Sequence, residues 1–287
     1  MTLADPGLSE PAHRPDPESG HPVLNGRYRL GRHLGGGSEA HVHEALDLRT
    51  SNLVAVKVFR AKDPSDDAPY RRELEIHSRL KHRNVVRIRD GGRAVLDQGS
   101  GEARNFLVME LVDGQDLRSI THAGPVSSLR TAGWMTDIAS ALAHVHRRGV
   151  IHNDVKPGNI LVDFSRTHDG EARLTDFGIA LSSRHQAPGS SSGTPHYLSP
   201  EEVAGEPATA ASDIYSLGLV ALECLTGTKA FPGPPLESMV ARTLTEPRIP
   251  GTVLRRWSMV LHAMTDPSPE ARPTAREATR MLRRINR

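Results

Sequence analysis

His152-Asn153-Asp154-Val155-Lys156-Pro157-Gly158-Asn159 sets a carboxylate, an ammonium and a carboxamide two and three residues apart. Proline and glycine in the same stretch keep it out of a helix interior. Seventeen residues after Asn159 comes Asp176-Phe177-Gly178. An acid that takes a hydroxyl proton, a cation that neutralises a moving charge and two oxygen donors for a hard metal ion are the parts that phosphoryl transfer needs. An Asx-rich turn before a strand accounts for either cluster alone, but not for both in this order.

The first cluster resembles the catalytic loop of protein kinases, and the second resembles their metal-binding turn. That resemblance implies an α+β, bilobal protein-kinase fold with a small β-rich lobe and a larger helical lobe. It also implies roles. Asp154 would accept the substrate hydroxyl proton, Lys156 would lie against the transferred γ-phosphate, and Asn159 with Asp176 would hold Mg2+.

Upstream, Gly35-Gly36-Gly37-Ser38-Glu39-Ala40-His41-Val42 lies between two strand-like runs. Glycines let backbone amides approach phosphate oxygens. A glycine hairpin is the plain alternative. What lifts the stretch above it is Val54-Ala55-Val56-Lys57, at the spacing of the kinase glycine loop and its third-strand lysine. Ala40 stands where the family pattern has its third glycine.

A lysine ending an apolar strand needs a counter-charge. Glu73 is the expected partner by the same resemblance, and Glu75 is expected to face solvent. The resemblance further places Val42 and Ala55 above the adenine of ATP and Leu161 below it. Met109 would close the back of the pocket, and Glu110 and Val112 would meet the adenine edge through backbone groups.

Gly193-Thr194-Pro195-His196-Tyr197-Leu198-Ser199-Pro200-Glu201 is similar to the end of the activation segment in bacterial serine/threonine kinases of the eukaryotic (Hanks) type. It implies protein substrates, because small-molecule phosphotransferases lack such a peptide platform. Thr194 would hydrogen-bond near Asp154 and Lys156. Glu201 would pair with Arg272, and Asp213 would anchor the catalytic loop from a buried helix. His152 would pack near Phe177. Ser182, Ser183 and Ser190 to Ser192 are candidate autophosphorylation sites, although such loops are serine-rich in any case.

One departure from the family pattern bears on regulation. Most members carry arginine where this chain has Asn153, and that arginine meets a phosphate on the activation segment. Asn153 cannot, so a non-RD kinase is expected, active without that phosphate. A pseudokinase that binds ATP as a regulatory module is the alternative, kept open by Asn153, Ala40 and His77.

Composition agrees with a bacterial enzyme of ordinary solubility. The 287 residues carry a formal net charge of +2, which provides no electrostatic footprint for nucleic acid. Arginine far outnumbers lysine, which occurs only as Lys57, Lys62, Lys81, Lys156 and Lys229. With abundant Ala, Gly and Pro, that is the bias of a GC-rich genome. The single cysteine, Cys224, excludes an internal disulfide and reads as a small buried residue. No signal peptide or membrane-length apolar run is legible, so a cytoplasmic protein without membrane contact is expected.

Along the chain, residues 1–26 are Pro-rich without apolar period and read as a disordered tail. Residues 27–111 form the expected small lobe, with strands over 28–34, 40–48, 53–59, 85–95 and 106–111 and a helix over 69–81. Residues 112–287 form the helical lobe, with helices over 128–148, 210–226, 253–264 and 274–285. Oligomeric state is not legible.

Overall fold

A computed structural model describes residues 22–37, 40–60, 70, 74–75, 79–95, 103–177 and 195–285. Val23–Leu24 (β1), Tyr28–Gly36 (β2), Ala40–Asp47 (β3), Asn52–Phe59 (β4), Ile88–Val95 (β5) and Ala103–Glu110 (β6) form one antiparallel sheet in the order β1-β2-β3-β4-β6-β5. The period-2 alternation of β4 sorts its two faces. Val54, Val56 and Val58 join Leu24, Tyr28, Leu30, Ala45, Phe106 and Val108 in one apolar cluster. Ala55 points the other way, into a second cluster with Val86, Ile88, Leu107 and Met109. Lys57 has the same parity as Ala55 and pairs across the sheet with Val42 and Leu107.

A second, three-stranded antiparallel sheet combines Gly114–Asp116 (β7), Ile160–Asp163 (β8) and Glu171–Leu174 (β9). It joins the two lobes. Val86 N donates to Leu174 O, and Leu174 N donates to Asn84 O, both at 2.9 Å. These strands are absent from the sequence expectation because three or four residues are too few to display a period.

The large lobe is built on Ser128–His146 (α2) and Ala210–Thr226 (α4), preceded by the short Leu117–His122 (α1) and Pro200–Val203 (α3). Ser127 caps α2 through the Arg130 N–H. Thr209 and Ser212 form a capping box on α4, and Gly227 closes it in the left-handed conformation. The core between them holds Trp134, Met135, Ile138, Leu142, Leu217, Val220, Trp257, Leu261 and Leu282, all close to fully buried. Each large side chain of this kind contributes about 1.5–3 kcal/mol. Cys224 is buried in the same cluster.

Arg255–Met264 (α6) and Ala275–Ile285 (α7) close the lobe; each starts one or two residues inside its expected range. Between α4 and α6 lies Pro235–Leu244 (α5), which the sequence reading did not anticipate. Its leading Pro-Gly-Pro-Pro reads as loop, and its apolar Leu236, Val240 and Leu244 face solvent rather than a core. The helix expected over 69–81 falls mostly outside the described residues. Tyr70, Leu74 and Glu75 within it are helical.

Gly218 lies in α4 where the C-terminal turn of α6 crosses it. A Cβ there would sit 2.7 Å from Thr265 Cγ2 and 3.1 Å from Met264 Cβ. Alanine would gain about 1 kcal/mol of helix propensity, but overpacking costs about 1–3 kcal/mol. The Thr265 hydroxyl is held on Leu261 O, so the methyl has little freedom to move. Gly218→Ala is therefore expected to lower unfolding free energy in a urea titration; a stabilised variant would contradict this packing.

Candidate active site

The loop after α2 is held from beneath. Asp213, only 1% exposed in α4, accepts hydrogen bonds from the backbone N–H groups of His152 (2.9 Å) and Asn153 (2.8 Å). Its Oδ2 also lies 2.7 Å from His146 Nε2. A carboxylate in a protein interior is tolerable only with such donors. Asn153 bends the chain with φ +63°, a conformation that asparagine adopts more readily than most residues. Its buried Oδ1 has no hydrogen-bond partner among the described residues.

His152 fixes the next link. Its Nδ1 accepts from Asp154 N at 3.2 Å, and its Nε2 lies 3.0 Å from Thr175 O. Those two partners select one neutral tautomer. Complete burial lowers the imidazole pKa below its ordinary value, so the ring stays uncharged near neutrality. Its centroid is 4.6 Å from that of Phe177, the packing expected from the sequence.

Around Asp154 the polar groups converge. Its Oδ2 accepts from Lys156 Nζ at 2.7 Å and from Asn159 Nδ2 at 2.8 Å. Asn159 Nδ2 also reaches Asp154 O at 2.9 Å. Thr175 N donates to Asn159 O at 3.0 Å, which sets Asn159 beside the residue preceding Asp176. Asp176 adopts φ +53° and pairs through Oδ1 with Lys57 Nζ at 2.9 Å. That ion pair spans 119 residues and bridges the lobes. The Lys57–Asp176 pair, which bridges the cleft between the lobes, is thus joined to the Asp154–Lys156–Asn159 group through Thr175 and Asn159. Glu73, the partner expected for Lys57, lies outside the described residues, as do Gly178, Thr194 and the serines of residues 182–192. Glu75 is exposed and paired with Arg79.

The apolar part of the cleft draws on both lobes. Val42, Leu111, Val112 and Leu161 pack against the cluster that contains Ala55 and Met109. Gly35 and Gly36 pair with Val42 and His41 across the hairpin, and Gly37 N donates to Ala40 O at 3.0 Å. A Cβ on Gly36 would meet Ala40 O at 2.8 Å, so the close backbone approach requires glycine there. Ala40 itself is buried. The Glu110 side chain turns away to the backbone N–H of Arg87 and to Arg173.

Beyond the cleft, residues 195–202 are tied down by contacts of which the sequence disclosed only one. That one is the bidentate pair of Arg272 with Glu201, at 2.7 and 2.8 Å. Ser212 also donates to Glu201 at 2.7 Å. Burial alone would raise the Glu201 pKa, but the Arg272 and Ser212 hydrogen bonds prevail and hold it at about 2. The unanticipated contacts are Tyr197 Oη donating to Glu223 at 2.5 Å, Ser216 Oγ donating to Tyr197 O at 2.6 Å, and the Ser199–Glu202 capping box. Burial pushes Glu202 up to about 7. No signal short of the fold itself pairs residues so distant in sequence.

The protein kinase domain family matches residues 28–282, and the chain belongs to that family. Within it, the expected resemblance to bacterial serine/threonine kinases of the Hanks type is borne out. The chain is 38% identical over 242 residues to the serine/threonine-protein kinase PrkC of Bacillus subtilis, covering 82% of this chain and 35% of PrkC. It is 39% identical over 236 residues to the serine/threonine-protein kinase PknB of Mycobacterium tuberculosis, covering 79% and 37%. It is also 39% identical over 222 residues to a probable serine/threonine-protein kinase PknB of Bifidobacterium longum, covering 74% and 32%. The chain thus spans about a third of the length of these curated relatives. The Mycobacterium tuberculosis PknI kinase domain superposes with a TM-score of 0.70 at 24% identity, over 92% of this chain and 97% of that one, and shares the fold. Among the described residues no helix is long and apolar enough to cross a membrane.

Two outcomes follow from the buried carboxylates. Asp213→Ala leaves two buried N–H groups unpaired at about 1–3 kcal/mol each, so chemical denaturation should show a loss of about 3 kcal/mol; a loss under 1 kcal/mol would contradict the anchoring. Glu201→Gln strands the Arg272 guanidinium and should cost about 3–5 kcal/mol near neutral pH. The Glu201 carboxyl has a folded pKa of about 2 against an ordinary 4.5. Its contribution is therefore complete above pH 4.5 and lost as pH falls toward 2. The stability gap between wild type and Glu201→Gln should narrow across that window; a constant gap would exclude the ion pair as its source.

Proposed function

We propose that this chain is a protein serine/threonine kinase that transfers the γ-phosphoryl group of ATP to Ser or Thr hydroxyls of protein substrates, using Mg2+. The observation that carries the reading is the junction of Lys57 and Asp176 from opposite lobes beside the Asp154–Lys156–Asn159 network. Asp154 commits only Oδ2 among the described residues, which leaves Oδ1 to orient a hydroxyl and take its proton. Lys156 reaches the same carboxylate and can neutralise charge on the group in transit. As the phosphorus–oxygen bond to ADP breaks, the new bond to the acceptor oxygen forms, and the hydroxyl proton passes to Asp154. Catalysis here is positioning and electrostatics.

Asn159 and Asp176 suit a hard cation. The Asn159 amide nitrogen is taken by Asp154, so its carbonyl oxygen is the atom left for a metal. Magnesium would supply positive charge against the triphosphate. Val42, Ala55, Met109 and Leu161 would sandwich the adenine, with the backbone of Glu110 and Val112 at its edge and Gly35, Gly36 and Gly37 above the phosphates. Lys57 would meet the phosphates, and Glu73 would steady it.

The protein-substrate assignment rests on residues 193–201 and on Lys156. The cytoplasm is the proposed location, and the proposed small and large lobes divide at residue 111, after a tail over 1–26. A non-RD mode is supported by the Asn153 side chain, which is uncharged and turned into the protein. Treatment with a phosphatase should therefore leave transfer activity within about twofold; loss restored by rephosphorylation would contradict this.

Asp154→Ala tests the chemistry. With Mg-ATP and a generic protein acceptor, transfer should fall by about 10²–10⁴-fold, the range for loss of a general base, with nucleotide affinity retained. Undiminished transfer would overturn the mechanism. Nucleotide binding without transfer in the wild type would identify a pseudokinase.

A further inference from the structure

Arg242 in α5 is 3% exposed and forms no ion pair among the described residues. Its Nε donates to Ser238 O at 3.1 Å and one terminal nitrogen donates to Ser238 Oγ at 2.8 Å. The other terminal nitrogen donates to Leu198 O. The guanidinium lies over the Phe231 ring, 5.2 Å from its centroid. The nearby carboxylate of Glu202 is occupied with Ser199 instead.

A guanidinium without a carboxylate in a protein interior is an unfavourable choice for packing alone. An apolar side chain of similar length removes the desolvation cost and often stabilises. Burial lowers the Arg242 pKa, in line with that cost. What an apolar residue cannot do is donate to Leu198 O while also gripping its own helix. The planar five-donor fork of arginine suits that double duty.

The bond falls on the segment that would receive the acceptor peptide. His196 Nε2 lies 3.0 Å from Gly233 O, just ahead of α5. The neighbouring Tyr197 carbonyl is held by Ser216, and Ser199 is held by Glu202. Leu198 O is the one carbonyl between these points whose side-chain donor comes from α5.

We infer that Arg242 is a positioning residue for the protein acceptor: through the Leu198 carbonyl it sets the height of the peptide-receiving segment above α5. This rests on the kinase reading above. It is assigned no part in nucleotide binding, since its described hydrogen bonds and ring contact lie on α5, its approach and residue 198.

The test compares wild type, Arg242→Met and Arg242→Lys, with KM for myelin basic protein, KM for ATP, kcat and thermal midpoint as readouts. Arg242→Met should raise the acceptor KM by about tenfold, the worth of one charge-assisted hydrogen bond. The ATP KM should stay within twofold and the thermal midpoint should not fall. Arg242→Lys, which keeps one donor within reach of Leu198 O, should recover part of the acceptor KM. An unchanged acceptor KM in Arg242→Met would overturn the inference alone. So would parallel loss of acceptor and ATP affinity with a lowered midpoint, the pattern of a scaffold residue. If Arg242→Met does not fold, Arg242→Lys decides: a selectively raised acceptor KM supports the role, and wild-type values overturn it. A wild type without transfer would overturn the kinase reading, and this inference with it.

Discussion

Asp213 places a carboxyl group in the interior of the large lobe, and the protein accommodates it by aiming backbone at it. Two of its donors are the N–H groups of His152 and Asn153, which leaves that strand of chain no freedom to drift. From there the constraint passes outward by hydrogen bonds rather than by packing. His152 hands it to Asp154 on one side and to Thr175 on the other. Asp154 and Asp176 are therefore indexed to the same buried imidazole, although they belong to different segments. A site of this kind is held to within fractions of an ångström by its supporting contacts, the condition that positional catalysis demands.

The small lobe is linked to this frame by the ion pairs Lys57–Asp176, Arg83–Glu171 and Glu110–Arg173, by the Val86–Leu174–Asn84 backbone bonds and the Asn84 amide on Ala172 O, and by the apolar group around Ala55, Met109 and Leu161. The face of β4 turned toward the large lobe presents an apolar side chain and, next to it, a charged one. Its two chemistries come from alternate residues of the same strand, since Ala55 and Lys57 share a face of β4. A one-residue slip of β4 would turn both out of the cleft.

Much of the site was legible because its residues are clustered in sequence. Asp154, Lys156 and Asn159 sit within six positions, and the turn after β9 brings Asp176 back beside them. The strand assignments succeeded where alternation ran for seven residues or more, as in β3 and β4. Legibility failed where the physics is non-local. The ion pair of Lys57 with Asp176, 119 residues away, was not foreseen, while Glu73, its expected partner, lies outside the described residues. Helix α5 hid behind its proline-rich entrance, and the short strands β7, β8 and β9 offered no period. Nothing in the sequence around Arg242 announces that Leu198 O lies above it. The Glu201–Arg272 pair was foreseen only through resemblance.

The central claim is that groups from both lobes close around a single nucleotide. Amide hydrogen exchange of the wild-type protein, with and without Mg-ATP, tests it most directly. The account predicts simultaneous protection of residues 35–37, 54–57, 109–112, 154–161 and 174–177. Protection confined to one lobe, or no protection at saturating Mg-ATP, would contradict it.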